Sequence, residues 1–237
     1  MTRQYVVDLS PAQWIQERVH PFAQDIGSLV PDVFESYARV LHPARLAAPD
    51  GERDVTWRQI ARANRRLFHP QMQFGNVAGT WSAREPHTSN WSSTPSPGTL
   101  TITLARALSR VLVAHTSSPR CWFAIWDGWG CVGRPVLPKF ELPGRAYFLA
   151  EGDVDDVTQT ACEGNFWFQS ASLWWPDDRA WLVATEVDLD STYVGGAAAA
   201  IDALLTDPAL EAVRADIADG ITAASDRINP APTPGHR

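Results

Sequence analysis

The feature that most constrains this fold is a change of hydrophobic period after Pro119. Before it, apolar residues recur at helical spacing, and after it the period becomes two, which is typical of β-strands. The alternation predicts strands at residues 121–126, 139–142, 145–150, 165–169 and 180–188. Turn signals such as Asp127-Gly128 and Pro143-Gly144 separate them. Because connections of hairpin length join antiparallel neighbours, the sequence predicts a mainly antiparallel sheet of about five strands.

Helical patterns flank this run of strands. In the N-terminal third, segments that begin near Ser10, Pro31 and Thr56 combine helix-start signals with apolar residues at helical spacing. Further helices are predicted over 99–116, 195–205 and 208–213. Helices, then closely spaced strands, then helices are typical of an α+β domain. We therefore expect a single α+β domain over residues 1–228, with a long loop at 71–98 and a disordered tail at 229–237.

Composition restricts the classes of function. The 237 residues carry a net charge of −7, which argues against a nucleic-acid-binding protein. No apolar run approaches the roughly 20 residues of a membrane span, and the N-terminus lacks the features of a signal peptide. Cys121, Cys131 and Cys162 are odd in number and lack metal-site spacing, so they are predicted to be buried thiols in a reducing compartment. The sequence thus predicts a cytoplasmic protein that binds neither nucleic acid nor membrane.

A G-x-G-x-x-G motif, "GWGCVG", starts at Gly128 directly after a predicted strand. A dinucleotide-binding loop of this form must open a helix, because the pyrophosphate sits on the helix N-terminus. Here Pro135 and Pro138 follow, and they break a helix. The motif is therefore interpreted as a strand and a hairpin turn at Asp127-Gly128. No other catalytic, metal-binding or cofactor motif is present, so we expect no catalytic residue, no metal and no cofactor.

Acidic and glycine-rich residues near the C-terminus are candidates for binding. Glu186, Asp188 and Asp190 recur at every second position, which would place them on one face of a strand. They could chelate a divalent cation, supply an acid–base pair, meet a cationic partner, or form the solvent face of a half-buried strand. The junction from Tyr193 to the following glycine pair could present amides to an anion, or ease a tight turn.

Aromatic residues are concentrated between residues 121 and 181 in a chain with 11 tryptophans. Alternation places them on both faces of the predicted strands, so one set can fill the core while another packs under helices or forms a recognition surface. The aromatic binding candidates are Trp122, Trp126, Trp129, Trp174 and Trp175.

Four segments carry a resemblance to a known family: "VPDVFESYARVLHPA", "HTSSPRCWFAIWDGWG", "LPGRAYFL" and "WWPDDRAWLVATEVDLDSTYVGG". Over nearly its whole length the chain resembles an uncharacterised family of actinobacterial proteins, which implies one coherent domain and no particular activity. The C-terminal part, with a tryptophan-containing acidic strand, a glycine pair and a helix, is also similar to bacterial toxin-immunity proteins of the SUKH kind.

Two hypotheses about function follow. The first is a non-enzymatic recognition protein, immunity-like in one version, that binds a protein partner through an acidic, aromatic-rich surface. The alternative is a small-molecule or carbohydrate-binding protein, or an enzyme acting on such a ligand, with a tryptophan-lined pocket and convergent carboxylates. The direction in which Trp122, Trp126 and Glu186 point distinguishes the two.

Overall fold

A computed structural model describes residues 3–21, 25–80, 91–130, 137–162 and 168–232. Its helices are short except for two, α4 and α5: they are α1 (Gln13–Gln16), α2 (Trp57–Ala63), α3 (Phe74–Ala78), α4 (Ile102–Leu112) and α5 (Ala198–Thr206). Its strands are β1 (Gln4–Tyr5), β2 (Ser36–Leu41), β3 (Ala44–Ala48), β4 (Gly51–Val55), β5 (Arg120–Trp126), β6 (Phe140–Leu142), β7 (Arg145–Asp153), β8 (Leu173–Pro176), β9 (Trp181–Ala184), β10 (Ser191–Gly196) and β11 (Ala212–Ala215).

Nine of these strands form one sheet. Their order is β1-β7-β5-β8-β9-β10-β2-β11, with β6 paired to β7, while β3 and β4 form a separate hairpin. All the pairings between these strands are antiparallel. The predicted α+β class with a mainly antiparallel sheet is therefore confirmed, but the main sheet has nine strands in the described residues instead of about five.

Two predicted helices are strands. The segment that begins at Pro31 leads into β2, and the segment predicted as a helix over 208–213 leads into β11. β2 lies between β10 and β11, and five of its six residues are buried. A strand that is covered on both faces does not alternate apolar and polar residues, so its apolar positions also fit a helical spacing. β11 forms because it pairs along β2, a tertiary contact that outweighs the helical preference of its alanines.

The helix-start signals seen in the sequence are used in α2 and α4 but not in the segment after Ser10. Thr56 and Gln59 form the predicted capping box of α2, and Thr101 caps α4. The segment after Ser10 forms only a 3-10 turn and the single-turn α1, and the Ser10 hydroxyl donates to Asp8 instead of capping a helix. In the predicted strand at 165–169, residues 165–167 lie outside the described ranges, and the two that follow belong to no strand.

The sheet is buried on both faces. Helices α4 and α5 cover one face, where Phe123 and Trp174 pack. The other face is covered by α1 and by residues 26–30, which pack on Trp122, Trp175 and Tyr193. Because successive side chains of a strand point to opposite faces, both sets of aromatics lie inside a three-layer structure. A third cluster around Trp57 holds the β3–β4 hairpin, α2, α3 and residue 91 together.

The ends of the predicted loop and tail take part in this packing. Residues 72–78 and Trp91, within the predicted 71–98 loop, are buried, while residues 81–90 lie outside the described ranges. Asn229, the first residue of the predicted tail, is buried and its side-chain amide donates to the Leu67 carbonyl at 2.9 Å. Residues 233–237 are not described.

The cysteines differ from one another. Cys121 is a buried free thiol, as predicted, but Cys162 is disulfide-bonded. The prediction of free thiols is therefore wrong for Cys162, because an odd number of cysteines does not exclude a single bond. Cys131 lies outside the described ranges. Among the described helices, none has the length and apolar character needed to cross a membrane.

Candidate functional site

The three predicted carboxylates lie in the turn between β9 and β10, not along a strand. β9 ends at Ala184 instead of residue 188, and the Leu189 amide donates to the Glu186 carbonyl at 3.0 Å, which closes the turn. Gly98 lies against this turn, and its amide donates to the Leu189 carbonyl at 3.0 Å. A Cβ on Gly98, whose φ is +68°, would lie 2.6 Å from the Val187 carbonyl oxygen. The position of the turn thus depends on a glycine.

Two of these carboxylates converge on Arg145, the first residue of β7. Its Nη2 donates to Glu186 Oε1 at 2.8 Å and to Asp188 Oδ2 at 2.6 Å, and its Nε donates to Glu186 Oε1 at 3.1 Å. Burial lowers the pKa of Arg145, but the hydrogen bond to Glu186 and the charges of both carboxylates outweigh it, so its pKa is raised. The Glu186 side chain is only 7% exposed, whereas that of Asp188 is 77% exposed. Asp188 therefore faces solvent.

Two of the predicted tryptophans complete this arrangement. Arg145 Cζ lies 5.3 Å from the Trp126 ring centroid, and Trp126 meets Trp129 edge to face at 5.3 Å. Both indoles are partly buried. We call this group, consisting of Trp126, Trp129, Arg145, Glu186 and Asp188, the Arg145 corner.

Gly128, the first glycine of the sequence motif, serves the packing of this corner. A Cβ at this position would collide with the Trp126 ring. Residues Asp127–Trp129 form a 3-10 turn, and the Gly130 amide closes it on the Asp127 carbonyl at 2.9 Å. The predicted two-residue hairpin is wrong, because β5 pairs with β7 and β8 instead of with the next strand in sequence. The second half of the motif, residues 131–133, lies outside the described ranges.

A small cavity lies beneath the corner. Its volume is about 20 Å³, room for one water molecule, and its polar lining includes Tyr147, Ser172 and Glu186. The Ser172 hydroxyl has no hydrogen-bond partner within the described ranges. Burial, and then the charge of Glu186, raises the pKa of Tyr147, so its phenol is neutral at physiological pH. The corner offers charge-assisted hydrogen bonds and aromatic contact, which are means of recognition.

The remaining candidates lie elsewhere. Asp190 Oδ1 is 3.9 Å from Nη2 of Arg39, and burial raises the pKa of this carboxyl although the charge of Arg39 opposes the shift. Tyr193 is 2% exposed in the core. Trp122 is buried and its indole donates to Asp177 at 2.9 Å. The other two candidates are almost fully buried, at 0% and 1% exposure: Trp174 and Trp175.

Four of the nine predicted binding residues therefore meet in one place, and the residue that joins them was not predicted. Arg145 carries no signal in the sequence because its partner Glu186 is 41 positions away. In the part of the chain that the structure describes, no group of three or more His, Cys, Asp or Glu residues could hold a metal ion.

The glycine pair after Tyr193 serves packing. A Cβ on Gly195 would collide with the Phe34 ring. The first amide of α5, on Ala198, donates to Glu35 Oε2 at 2.9 Å, so a carboxylate of the chain itself occupies the place of the anion considered from sequence.

Comparison with known proteins gives no match to a family model, to a curated protein or to a solved structure. The two resemblances noted from the sequence stay predictions.

Proposed function

We propose that this chain is a non-enzymatic recognition protein that binds a protein partner through the Arg145 corner. The observation that carries the proposal is the position of Arg145, which holds Glu186 and Asp188 together while its guanidinium lies against Trp126. Tryptophan and arginine are the residue types that contribute most to binding hot spots.

The corner is organised before any partner arrives. Glu186, almost fully buried, fixes the Arg145 guanidinium from below, and Trp126 is fixed by the turn at Gly128. Binding to side chains that are already ordered costs less conformational entropy. Since Asp188 is the most exposed charged group of the corner, the partner is expected to place a basic side chain against it.

The alternative function has less support in the geometry. Sites for drug-sized ligands typically enclose about 300–1,000 Å³, whereas the cavity below the corner has about 20 Å³ and no tryptophan in its lining. One predicted carboxylate of this site faces solvent and the other is neutralised by Arg145. Recognition by surface contact therefore accounts for the arrangement better than enclosure of a small ligand.

The cytoplasmic location belongs to this proposal, as does the immunity-like version, in which the partner is a toxin. The disulfide at Cys162 opposes a reducing compartment, because cytosolic thiols are usually kept reduced. Acid quenching of intact cells, followed by alkylation of the denatured protein, tests the location, because Cys162 is buried in the folded chain. A Cys162 that is alkylated under those conditions supports the cytoplasm.

The binding proposal is tested by affinity capture from native lysate of the source cells, with the wild-type protein and three variants compared side by side. We expect a partner retained by the wild-type protein to be lost with Asp188→Arg and with Arg145→Gln. Arg106→Gln is the matched control, because Arg106 is an exposed arginine of α4 outside the corner. A partner that binds all three variants equally, or the absence of any specific partner, contradicts the proposal.

A further inference from the structure

A second surface lies at the opposite end of the sheet, and we propose that it binds an acidic peptide segment of another protein. It is a shallow groove of about 550 Å³. We call it the Arg179 groove, and its principal residues are Trp14, Arg18, Phe34, Arg179 and Gly196. The proposal goes beyond the function inferred above because the surface and the chemistry of the partner both differ.

The two surfaces lie at opposite ends of the antiparallel pair β9 and β10. β9 begins at Trp181, next to Arg179, and runs to Ala184, next to the turn that holds Glu186. β10 runs back from that turn and ends at Gly196, in the groove. A substitution in the groove therefore leaves the Arg145 corner intact, and each surface supplies controls for the other.

The charge of the groove is the opposite of that of the whole chain. Within the described ranges, neither Arg18 nor Arg179 forms an ion pair, although the protein has a net charge of −7. Glu35 also lines the groove, but it is bound to the amide of Ala198 at the start of α5. Two unpaired guanidinium groups in one groove suit carboxylates, to which arginine donates in bidentate fashion.

Arg179 has an unfavourable backbone conformation. Its φ is 57°, in the left-handed region, where a non-glycine residue is strained by about 1–2 kcal/mol. Its amide donates to the Pro176 carbonyl at 2.9 Å to close the turn before β9, a position well suited to glycine. An arginine at this position lowers the stability of the fold but adds a charged side chain. Strained residues of this kind cluster at binding sites. Its Cζ lies 5.6 Å from the Trp14 ring centroid, and a guanidinium above a ring keeps its N–H groups available at the edges.

Apart from its arginines and Glu35, the groove offers apolar contact mainly at Phe34 and Val33, because Trp14 is only 6% exposed. Trp14 and Phe34 meet edge to face with their centroids 6.2 Å apart, and Val33 beside them is 44% exposed. Gly196 and Ala197, with no side chain or a small one, also line the groove and leave room for a bound chain. A segment in which acidic and apolar side chains are interspersed would place its carboxylates on the arginines and its apolar groups on Phe34 and Val33. An open groove fits an extended peptide better than a small anion, since small-molecule sites enclose most of their ligand.

Direct binding of a defined probe tests this inference without knowledge of the natural partner. The probe is a short fluorescein-labelled peptide in which Glu and Leu alternate, and its control has Lys in place of Glu. We expect fluorescence anisotropy to show binding of the acidic peptide that is at least about tenfold tighter than binding of the basic one, and that weakens as salt is added.

Variants locate the site. Arg179→Gly and Arg18→Ala are each expected to weaken binding of the acidic peptide by about tenfold, the loss of one charge-assisted contact. Arg179→Gly also relieves the backbone strain, so a loss of affinity in this variant does not reflect unfolding. Arg106→Ala, outside the groove, is expected to bind like the wild-type protein.

Three results would overturn the inference. The first is equal affinity for the acidic and basic peptides. The second is unchanged affinity in both groove variants. The third is phosphatidylserine vesicles or inorganic phosphate binding as tightly as the peptide, with the same dependence on Arg179, because the site would then recognise anions in general.

Discussion

Two arginines lie on either side of the turn between β9 and β10, and each binds different side chains of that turn. Arg145 donates hydrogen bonds to Glu186 and Asp188, whereas Arg39 donates to the Ser191 hydroxyl at 2.9 Å and lies 3.9 Å from Asp190. Each guanidinium also lies against an aromatic ring. The side chain of Arg39 is 3% exposed and that of Arg145 is 25% exposed.

The partners explain the difference in role. Arg39 donates to the backbone carbonyls of Pro70 at 3.0 Å and Met72 at 2.6 Å, so it joins β2 to the chain that precedes α3. Arg145 donates to the buried Glu186 and to Asp188, which stays exposed to solvent. Similar chemistry thus supports the fold on one side of the turn and provides a candidate binding surface on the other.

Removal of the buried arginine is the strongest test of this comparison. Arg39→Met keeps the apolar stem but leaves the carbonyls of Pro70 and Met72 without their donor. We expect the free energy of unfolding to fall by about 3–5 kcal/mol in urea denaturation. Arg106→Met, the exposed control, should stay within about 0.5 kcal/mol of the wild-type protein. A loss below about 1 kcal/mol for Arg39→Met would mean that the two arginines do not differ in this way.

A buried histidine extends the network on the Arg39 side. His42 is 2% exposed, and its Nδ1 lies 2.8 Å from the Ser96 carbonyl oxygen, which can only accept, so Nδ1 carries the proton. Its Nε2 then accepts from Thr192 at 2.9 Å, and Thr192 accepts from Thr185 at 2.8 Å. Burial lowers the pKa of His42 to about 4, and the charge of Arg39 acts in the same direction although the hydrogen bond to Ser96 opposes it.

This pKa predicts a loss of stability in mild acid. Below pH 6.5 the unfolded chain protonates His42, while the folded chain does so only near pH 4, so stability falls as pH decreases through that window. Between pH 7 and pH 5 the expected loss is about 2 kcal/mol. His42→Gln should remove this component, and the control His115→Gln should retain it. The difference between the two variants isolates His42 from the opposite contribution of Asp190, and equal pH profiles would refute the prediction.

The same comparison shows what the sequence reveals about the fold. Strands such as β5 and β7 are predictable because aromatic and other apolar residues run between turn signals, and α4 because its apolar residues recur at helical spacing. β2 is buried like β5, but it follows a helix-start signal and its apolar residues also fit a helical spacing, so the sequence predicts a helix there. Likewise, the aromatics of β5 and β8 are visible in the sequence, but the N-terminal segments that bury them are distant along the chain.

For the candidate site as well, the sequence shows one part and hides another. The residue types of the Arg145 corner, tryptophans and carboxylates, are evident from sequence. Their convergence is not, because it depends on β7 and β9 belonging to one sheet and on the turn after β9. Glu186, Asp188 and Asp190 therefore do not share one face of a strand, as their spacing predicts. Because they lie in a turn, the first two contact Arg145 and the third lies near Arg39.

The smallest expected effect is at Asp188. Asp188→Asn removes an exposed charge from Arg145 while Glu186 still holds the guanidinium, and exposed ion pairs contribute about 0–1 kcal/mol. We expect a change of less than about 0.5 kcal/mol in the free energy of unfolding, measured by the same urea denaturation. A change above about 2 kcal/mol would place Asp188 among the residues that support the fold, as Arg39 does. A small change combined with loss of a captured partner would instead separate binding from stability at this turn, because a residue that contributes little to the fold but much to binding belongs to a recognition surface.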